Sequence, residues 1–219
     1  LNPDSEEVFS YDPGVASSTA ELILRHTIVA IEAQGETSIR VKELADEVGV
    51  AVTSLYHFYG SREGLIEAAQ ARRYATGLRE LAVEWKAQFS GCRTQREFRL
   101  LIRCQMHEFM SADQAGRRMA GLNVIGSAHG RPHLAAAIAD AQREFVSTIT
   151  DALSVPQHRG WIRRDLDLRA FSAWYLGQMT SRAVIDLGDT GVDTDGWSCI
   201  ATDAAMAVLF GEVAALMAS

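Results

Sequence analysis

Proline, cysteine and positive charge are all scarce: the 219 residues include four prolines and three cysteines, and the net charge is −7. With so few prolines and little strict alternation of polar and apolar residues, most of the length is free to be helical. Cys92, Cys104 and Cys199 are odd in number, far apart and without a Cys-x-x-Cys pair. They therefore read as reduced core residues suited to a cytoplasmic protein rather than as a disulfide frame. No apolar run is long enough to span a bilayer, so no membrane partner is expected. No charged, apolar, small-residue signal pattern opens the chain, which starts at Leu1.

Catalytic signatures are missing too. There is no Gly-x-Ser-x-Gly, P-loop or dinucleotide fingerprint. His129 and His133 have the spacing of a metal-ligand pair, but Gly130 and Pro132 break the helix that would align them. No metal, cofactor or catalytic residue is expected, and the chain reads as a binding protein rather than an enzyme.

What remains is a chain that is 47% hydrophobic, enough to bury a sizeable core as one large or two small domains. Residues 1–17 form an acidic tail containing Pro and Gly, expected to be mobile. Ser18-x-x-Glu21 has the form of a capping box opening a first helix, in which Leu24, Ile28 and Ile31 share a face until Gly35 stops it. Further helices are expected at 41–48, 52–58, 62–89, from Thr94 to Phe109, and at about 113–127 and 132–155. A loop should run from Pro156 to Arg164. Asp165 and Asp167 then lead into a helix ending near Leu187, and after the loop GDTGVDTDG the last spans about 195–217. The fold class is all-α, about nine helices: a three-helix head at 18–62 and a larger body at 63–219.

Residues 41–65, VKELADEVGVAVTSLYHFYGSREGL, carry the most local logic. Ala45 is small where two helices must approach, and Gly49 sits where the chain leaves the first helix and positive φ costs glycine little. Leu44, Val48, Val50 and Leu55 fall where they would tie both helices to a third. Ser61 is placed to accept from an exposed amide of the next helix, and Glu63 suits its positive end. This is the order of parts in a helix-turn-helix, whose second helix meets base edges with its early residues, here Val52, Thr53 and Ser54.

The string Leu55-Tyr56-His57-Phe58-Tyr59-Gly60-Ser61-Arg62-Glu63-Gly64-Leu65 resembles the end of the recognition helix and the start of the fourth helix in the TetR family of bacterial transcriptional regulators. The resemblance covers about residues 20–70. It implies phosphate contacts from Tyr56 and Arg62, with Arg40, His57 and Tyr59 as further DNA-binding candidates. Phe58 departs from the pattern, standing where the family usually has a phosphate-contacting histidine or tyrosine; it reads as a small-core residue, and His57 or the Tyr59 hydroxyl is the possible substitute. Residues 18–73 hold six basic side chains (Arg25, Arg40, Lys42, Arg62, Arg72, Arg73) against eight acidic ones (Glu21, Glu32, Glu36, Glu43, Asp46, Glu47, Glu63, Glu67). Affinity for a polyanion should therefore be modest and strongly salt-sensitive.

The resemblance also implies a cytoplasmic, ligand-responsive repressor that binds double-stranded operator DNA as a homodimer through its last two helices. Phe171, Trp174, Tyr175, Gly177, Gln178 and Ala183 would pair with Ala204, Ala205, Val208, Leu209 and Val213, the alternative being an intramolecular core. Met106, Phe109, Met110, Met119, Leu122, Ile125, Phe145, Ile149, Trp174 and Met179 come from the helices that enclose the family's effector pocket, with plain core as their alternative. The effector implied is a mostly apolar organic molecule with one polar or acidic group, for which Arg103, His107 and Arg182 are possible anchors. Two other readings stay open: the same fold with weak or lost DNA binding, acting through protein contacts, and a small helical enzyme.

Overall fold

The computed structural model describes residues 13–189 and 191–211, with the backbone alone at 13–17. Among them are nine α-helices and no strand: α1 (Pro13–Gln34), α2 (Val41–Val48), α3 (Val52–Tyr59), α4 (Arg62–Gly91), α5 (Gln95–Met110), α6 (Ala115–Ser127), α7 (Pro132–His158), α8 (Leu168–Ile185) and α9 (Thr194–Phe210). Two compact units result, one ending at Arg73 and the other starting at Tyr74.

Local chemistry accounts for most helix ends. Thr94 accepts from the Glu97 amide at the start of α5, and the Glu97 carboxylate in turn accepts from the Arg93 amide at 2.8 Å. These bonds hold the Glu97 carboxyl below its ordinary range, since they favour its charged form. Asp167 caps α8 by accepting from the amides of Arg169 and Ala170, and Asp193 caps α9 by accepting from Asp195. Each cap satisfies backbone donors that a helix cannot pair internally.

Four expectations need correction. α1 already begins at Pro13, so Ser18 lies inside the helix and cannot open it; Glu21 instead pairs with Arg72 at 2.7 Å. The expected tail at 1–17 otherwise lies outside the described residues. α7 runs through Pro156 to His158 rather than ending before it, because a proline in the last turn removes a single amide donor while its ring is buried. α9 ends at Phe210, capped by Gly211 in a left-handed conformation, and the part of the expected helix beyond that, with Val213, lies outside the described residues. Only Cys92 is buried; Cys104 and Cys199 are exposed on α5 and α9.

The head core gathers Ile23, Leu24, Ile31, Leu44, Ala45, Leu55, Leu65, Ile66 and Ala69 from α1 to the first turns of α4. In the body, Trp85 of α4 is an aromatic hub. Its ring meets those of Tyr175, Phe145 and Phe109 edge-on at centroid distances of 5.1, 6.0 and 6.5 Å. Edge-to-face pairs of this kind add to the gain from burial alone. No described helix is long and apolar enough to cross a membrane.

Candidate nucleic-acid interface

α2 and α3 form a helix-turn-helix for reasons visible residue by residue. Gly49 ends α2 at φ 76°, a conformation that costs glycine little, and Val50 donates back to the Ala45 carbonyl at 2.9 Å. Ala45 is buried at the crossing, where a larger side chain would push α2 off its neighbours. Leu55 turns inward, while Val48, Val50, Val52 and Phe58 pack partly buried against the head core. Phe58 thus takes the packing role expected of it.

The outward face of α3 is what remains. Thr53, Tyr56 and His57 are exposed, with Val52 and Ser54 half-buried beside them. Tyr56 leaves 47% of its surface accessible, although its neighbours in the head are largely packed. Arg40, Lys42 and Arg25 are exposed as well, and Lys42 and Arg25 form no ion pair among the described residues.

Three expected contact residues form hydrogen bonds inside the head. The Tyr59 hydroxyl donates to the Ala20 carbonyl at 2.7 Å, joining α3 to α1. Burial, then the charge of Glu21, raises the Tyr59 pKa against an opposing pull from Arg72, so the hydroxyl stays a donor well into the alkaline range. Arg62 donates to the carbonyls of Ile39 (3.0 Å) and Glu36 (2.8 Å) and pairs with Glu63 at 2.6 Å. Arg40 donates to the Thr37 carbonyl at 2.7 Å. The Tyr59 bond ties α3 to α1, while those of Arg62 and Arg40 fix the segment that leads into α2.

The turn into α4 leaves no spare volume. Ser61 Oγ accepts from the Gly64 amide at 2.9 Å, as expected of a capping residue. A Cβ placed on Gly64 would stand 2.2 Å from the Tyr59 carbonyl oxygen, which accounts for the small residue following Glu63.

The sequence-derived effector residues divide into groups. Met106, Phe109, Met110, Phe145 and Ile149 belong to the body core, and Met179 packs against it. Met119, Leu122 and Ile125 are half-buried on α6, while Trp174 lies exposed against Phe171. Two openings reach this core. A groove of about 170 Å³ between α4 and α7 is floored by Ala82, Ala141 and Phe145, and the exposed bidentate pair Arg79–Glu144 borders it at 3.2 and 3.3 Å. A smaller polar pocket lies beside Trp85 and Phe109, lined by Gln88, Gln105 and Arg117 among others.

The suggested anchors are otherwise engaged. Arg103 pairs with Asp203 at the surface, at 3.2 Å. Arg182 is buried and pairs with Asp186, which also binds buried Arg118 at 2.7 Å; Arg118 donates in addition to the carbonyls of Phe109 and Ser111. Two buried arginines sharing one carboxylate make a brace between α6 and α8, a role that neither Arg118 nor Asp186 betrays in sequence. His107 is exposed. No group of three or more His, Cys, Asp or Glu side chains positioned to hold a metal occurs among the described residues.

The residues proposed for pairing are also split. Phe171, Tyr175, Ala183, Ala205 and Leu209 are buried within the chain and so belong to its own core, a correction to their assignment as an intersubunit surface. Trp174, Gly177, Gln178, Ala204 and Val208 keep accessible surface. Trp174, Gly177, Ser181 and Val184 recur along one exposed side of α8, and Ile200 on α9 is 73% exposed.

Comparison with known proteins agrees with this geometry. The family model described as "Bacterial regulatory proteins, tetR family" matches residues 23–69. No curated protein matches the chain in sequence. Among solved structures, a TetR-family transcriptional regulator from Pectobacterium atrosepticum is similar at 17% identity and a TM-score of 0.65, over 91% of this chain and 98% of that one. A TetR-family regulator described as putative, from Rhodococcus sp., is similar at 21% identity and a TM-score of 0.61, over 88% and 99%. The transcriptional regulator FadR from Bacillus subtilis, solved in complex with stearoyl-CoA, is similar at 14% identity and a TM-score of 0.56, over 86% and 98%. The family's model thus covers the helix-turn-helix head in sequence, and the solved structures share the all-α fold over most of the length.

Proposed function

We propose that this protein is a cytoplasmic, dimeric repressor that binds operator DNA through α3 and is released by a small, mostly apolar organic effector held in its body. The observation that carries the reading is the exposed face of α3, where Thr53, Tyr56 and His57 project from a helix held by buried Leu55 and by the Tyr59 bond to α1. Thr53, with Val52 and Ser54, is assigned to base edges. Tyr56, His57 and Arg40 are assigned to phosphates, Tyr59 acts chiefly by holding α3 in place, and Arg62 by fixing the segment that leads into α2. Phosphate contacts set register, whereas base contacts set preference.

Pairing of two copies through the accessible sides of α8 and α9 would bring two heads to successive major grooves, about 34 Å apart. An effector bound in the body would favour a state with the heads wrongly spaced, and only to the extent that it binds that state more tightly. The stearoyl-CoA complex of the similar FadR is consistent with a ligand-binding body. Nothing in this reading requires catalysis.

One observation favours a second reading. Arg62, Arg72 and Arg73 are each paired with a carboxylate in a head that already carries more acid than base, so the head of this chain could instead bind a protein. Selection of bound duplexes from a random pool at low salt separates the two: recovery of a common two-fold sequence supports the repressor, and recovery of none supports the alternative.

A further inference from the structure

The groove between α4 and α7 exists because the residues lining it are small. Ala75 and Ala82 on α4 and Ala141 on α7 leave a space of about 170 Å³, room that a close-packed interior rarely leaves. Polar ties join the same two helices: Arg79 with Glu144, and the Gln142 amide donating to the Tyr74 hydroxyl at 3.0 Å. A cavity of roughly 150 Å³ holds a benzene ring, so the groove has room for one ring. Val83, 61% exposed, adds apolar surface at its edge.

The rim decides what kind of ring. Among the lining side chains only Arg79 and Glu144 are charged, and each spends its charge on the other in a bidentate pair. Hydrogen bonds from Arg79, then its charge, hold the Glu144 carboxyl below its ordinary range, so the pair stays ionised and the rim has no net charge. An added anion would face the Glu144 carboxylate and an added cation the Arg79 guanidinium, which favours neutral molecules.

One polar handle is left over. Thr27 and Thr150, also inside helices, donate to the carbonyl four residues back at 2.8 and 2.6 Å. Thr148 lines the groove half-buried, and its hydroxyl has no hydrogen-bond partner among the described residues. Nor does that hydroxyl belong with the unpartnered polar atoms sealed from solvent, so an incoming group can reach it. A threonine hydroxyl both donates and accepts, and another hydroxyl answers it in both directions.

We propose that the groove between α4 and α7 binds a small neutral aryl alcohol, its ring on the apolar floor and its hydroxyl paired with Thr148. The site names a ligand class for the effector reading above and rests on that reading for its regulatory role.

The test is calorimetric titration of the full chain with benzyl alcohol, against benzoate, benzylamine and toluene. Benzyl alcohol is expected to bind saturably. The two ions, similar in size, should bind at least roughly fivefold more weakly, and toluene at least roughly threefold. Thr148→Val keeps the shape of the side chain and should bring benzyl alcohol down to the level of toluene while leaving toluene unchanged. Ala75→Leu fills the groove from its half-buried edge and should abolish binding of both with helicity intact. Glu144→Gln leaves the rim positive and should strengthen benzoate at least roughly threefold. A groove holding water only, seen as no saturable heat from benzyl alcohol, would overturn the proposal, as would equal binding of the ions or undiminished binding by Thr148→Val. Benzyl alcohol binding that leaves DNA affinity unchanged keeps the site and removes its effector role. DNA release by other small molecules, without benzyl alcohol binding, does the reverse.

Discussion

Arg62 Nε donates to the carbonyl of Ile39 at 3.0 Å, so the first residue of α4 is fastened to the segment leading into the helix-turn-helix. With its second bond to Glu36, the guanidinium ties two carbonyls of the segment between α1 and α2 to the start of α4. Arg62→Ala should therefore destabilise the head by about 1–3 kcal/mol and weaken binding to all duplexes alike. Denaturant midpoints and fluorescence anisotropy on several sequences measure the two effects. A variant of unchanged stability that altered sequence preference would mean that Arg62 reads bases.

Tyr59 makes a comparable tie to Ala20, and its raised pKa gives it a pH signature. The unfolded tyrosine ionises near pH 10, below the folded value. Its stabilising contribution is therefore complete below about pH 10 and is lost as pH rises through the folded pKa. Tyr59→Phe should cost about 1 kcal/mol at neutral pH and should flatten the alkaline fall in stability relative to the parent. Parallel midpoints between neutral pH and about pH 11 for both proteins would contradict this.

Asp186 neutralises one of the two buried charges beside it, at Arg118 and Arg182. Asp186→Asn leaves both guanidinium groups without a counter-charge and should cost about 3–5 kcal/mol. Arg103→Ala, which breaks the exposed pair with Asp203, should cost less than about 1 kcal/mol. Similar losses in thermal unfolding would show that the buried brace has no special weight.

The exposed apolar face of α8 and α9 gives a test of pairing. Trp174→Asp combined with Ile200→Asp should convert dimer to monomer in sedimentation while leaving helicity intact, since neither side chain is buried in the chain itself. Specific DNA affinity should fall with it. A dimer that survived both charges would place the interface elsewhere.

The helix count was legible because punctuation and periodicity agreed: Gly35, Gly49, Thr94, Pro132 and Asp167 all stand at or beside observed helix ends. Pro156 misled because a proline stops a helix only where its missing amide and its ring cannot be accommodated, and the last turn of α7 accommodates both. At the interface, exposure of Thr53, Tyr56 and His57 followed from the inward placement of Leu55. The engagement of Arg62 with Ile39 did not, since no pattern in sequence reports a bond across 23 residues. Apolar stripes on α8 and α9 could not be divided between core and partner, because Phe171 and Trp174 look alike until their surroundings are known.

The central claim is that the outer face of α3 reads duplex DNA. Its most direct measurement is the affinity and salt dependence of the protein, and of Thr53→Ala and Tyr56→Phe, for a duplex selected from a random pool. The expected result is binding that weakens steeply and log-linearly with salt, a changed base preference for Thr53→Ala, and a uniform loss for Tyr56→Phe. No duplex bound above background at low salt, or binding indifferent to salt and to both substitutions, would contradict it.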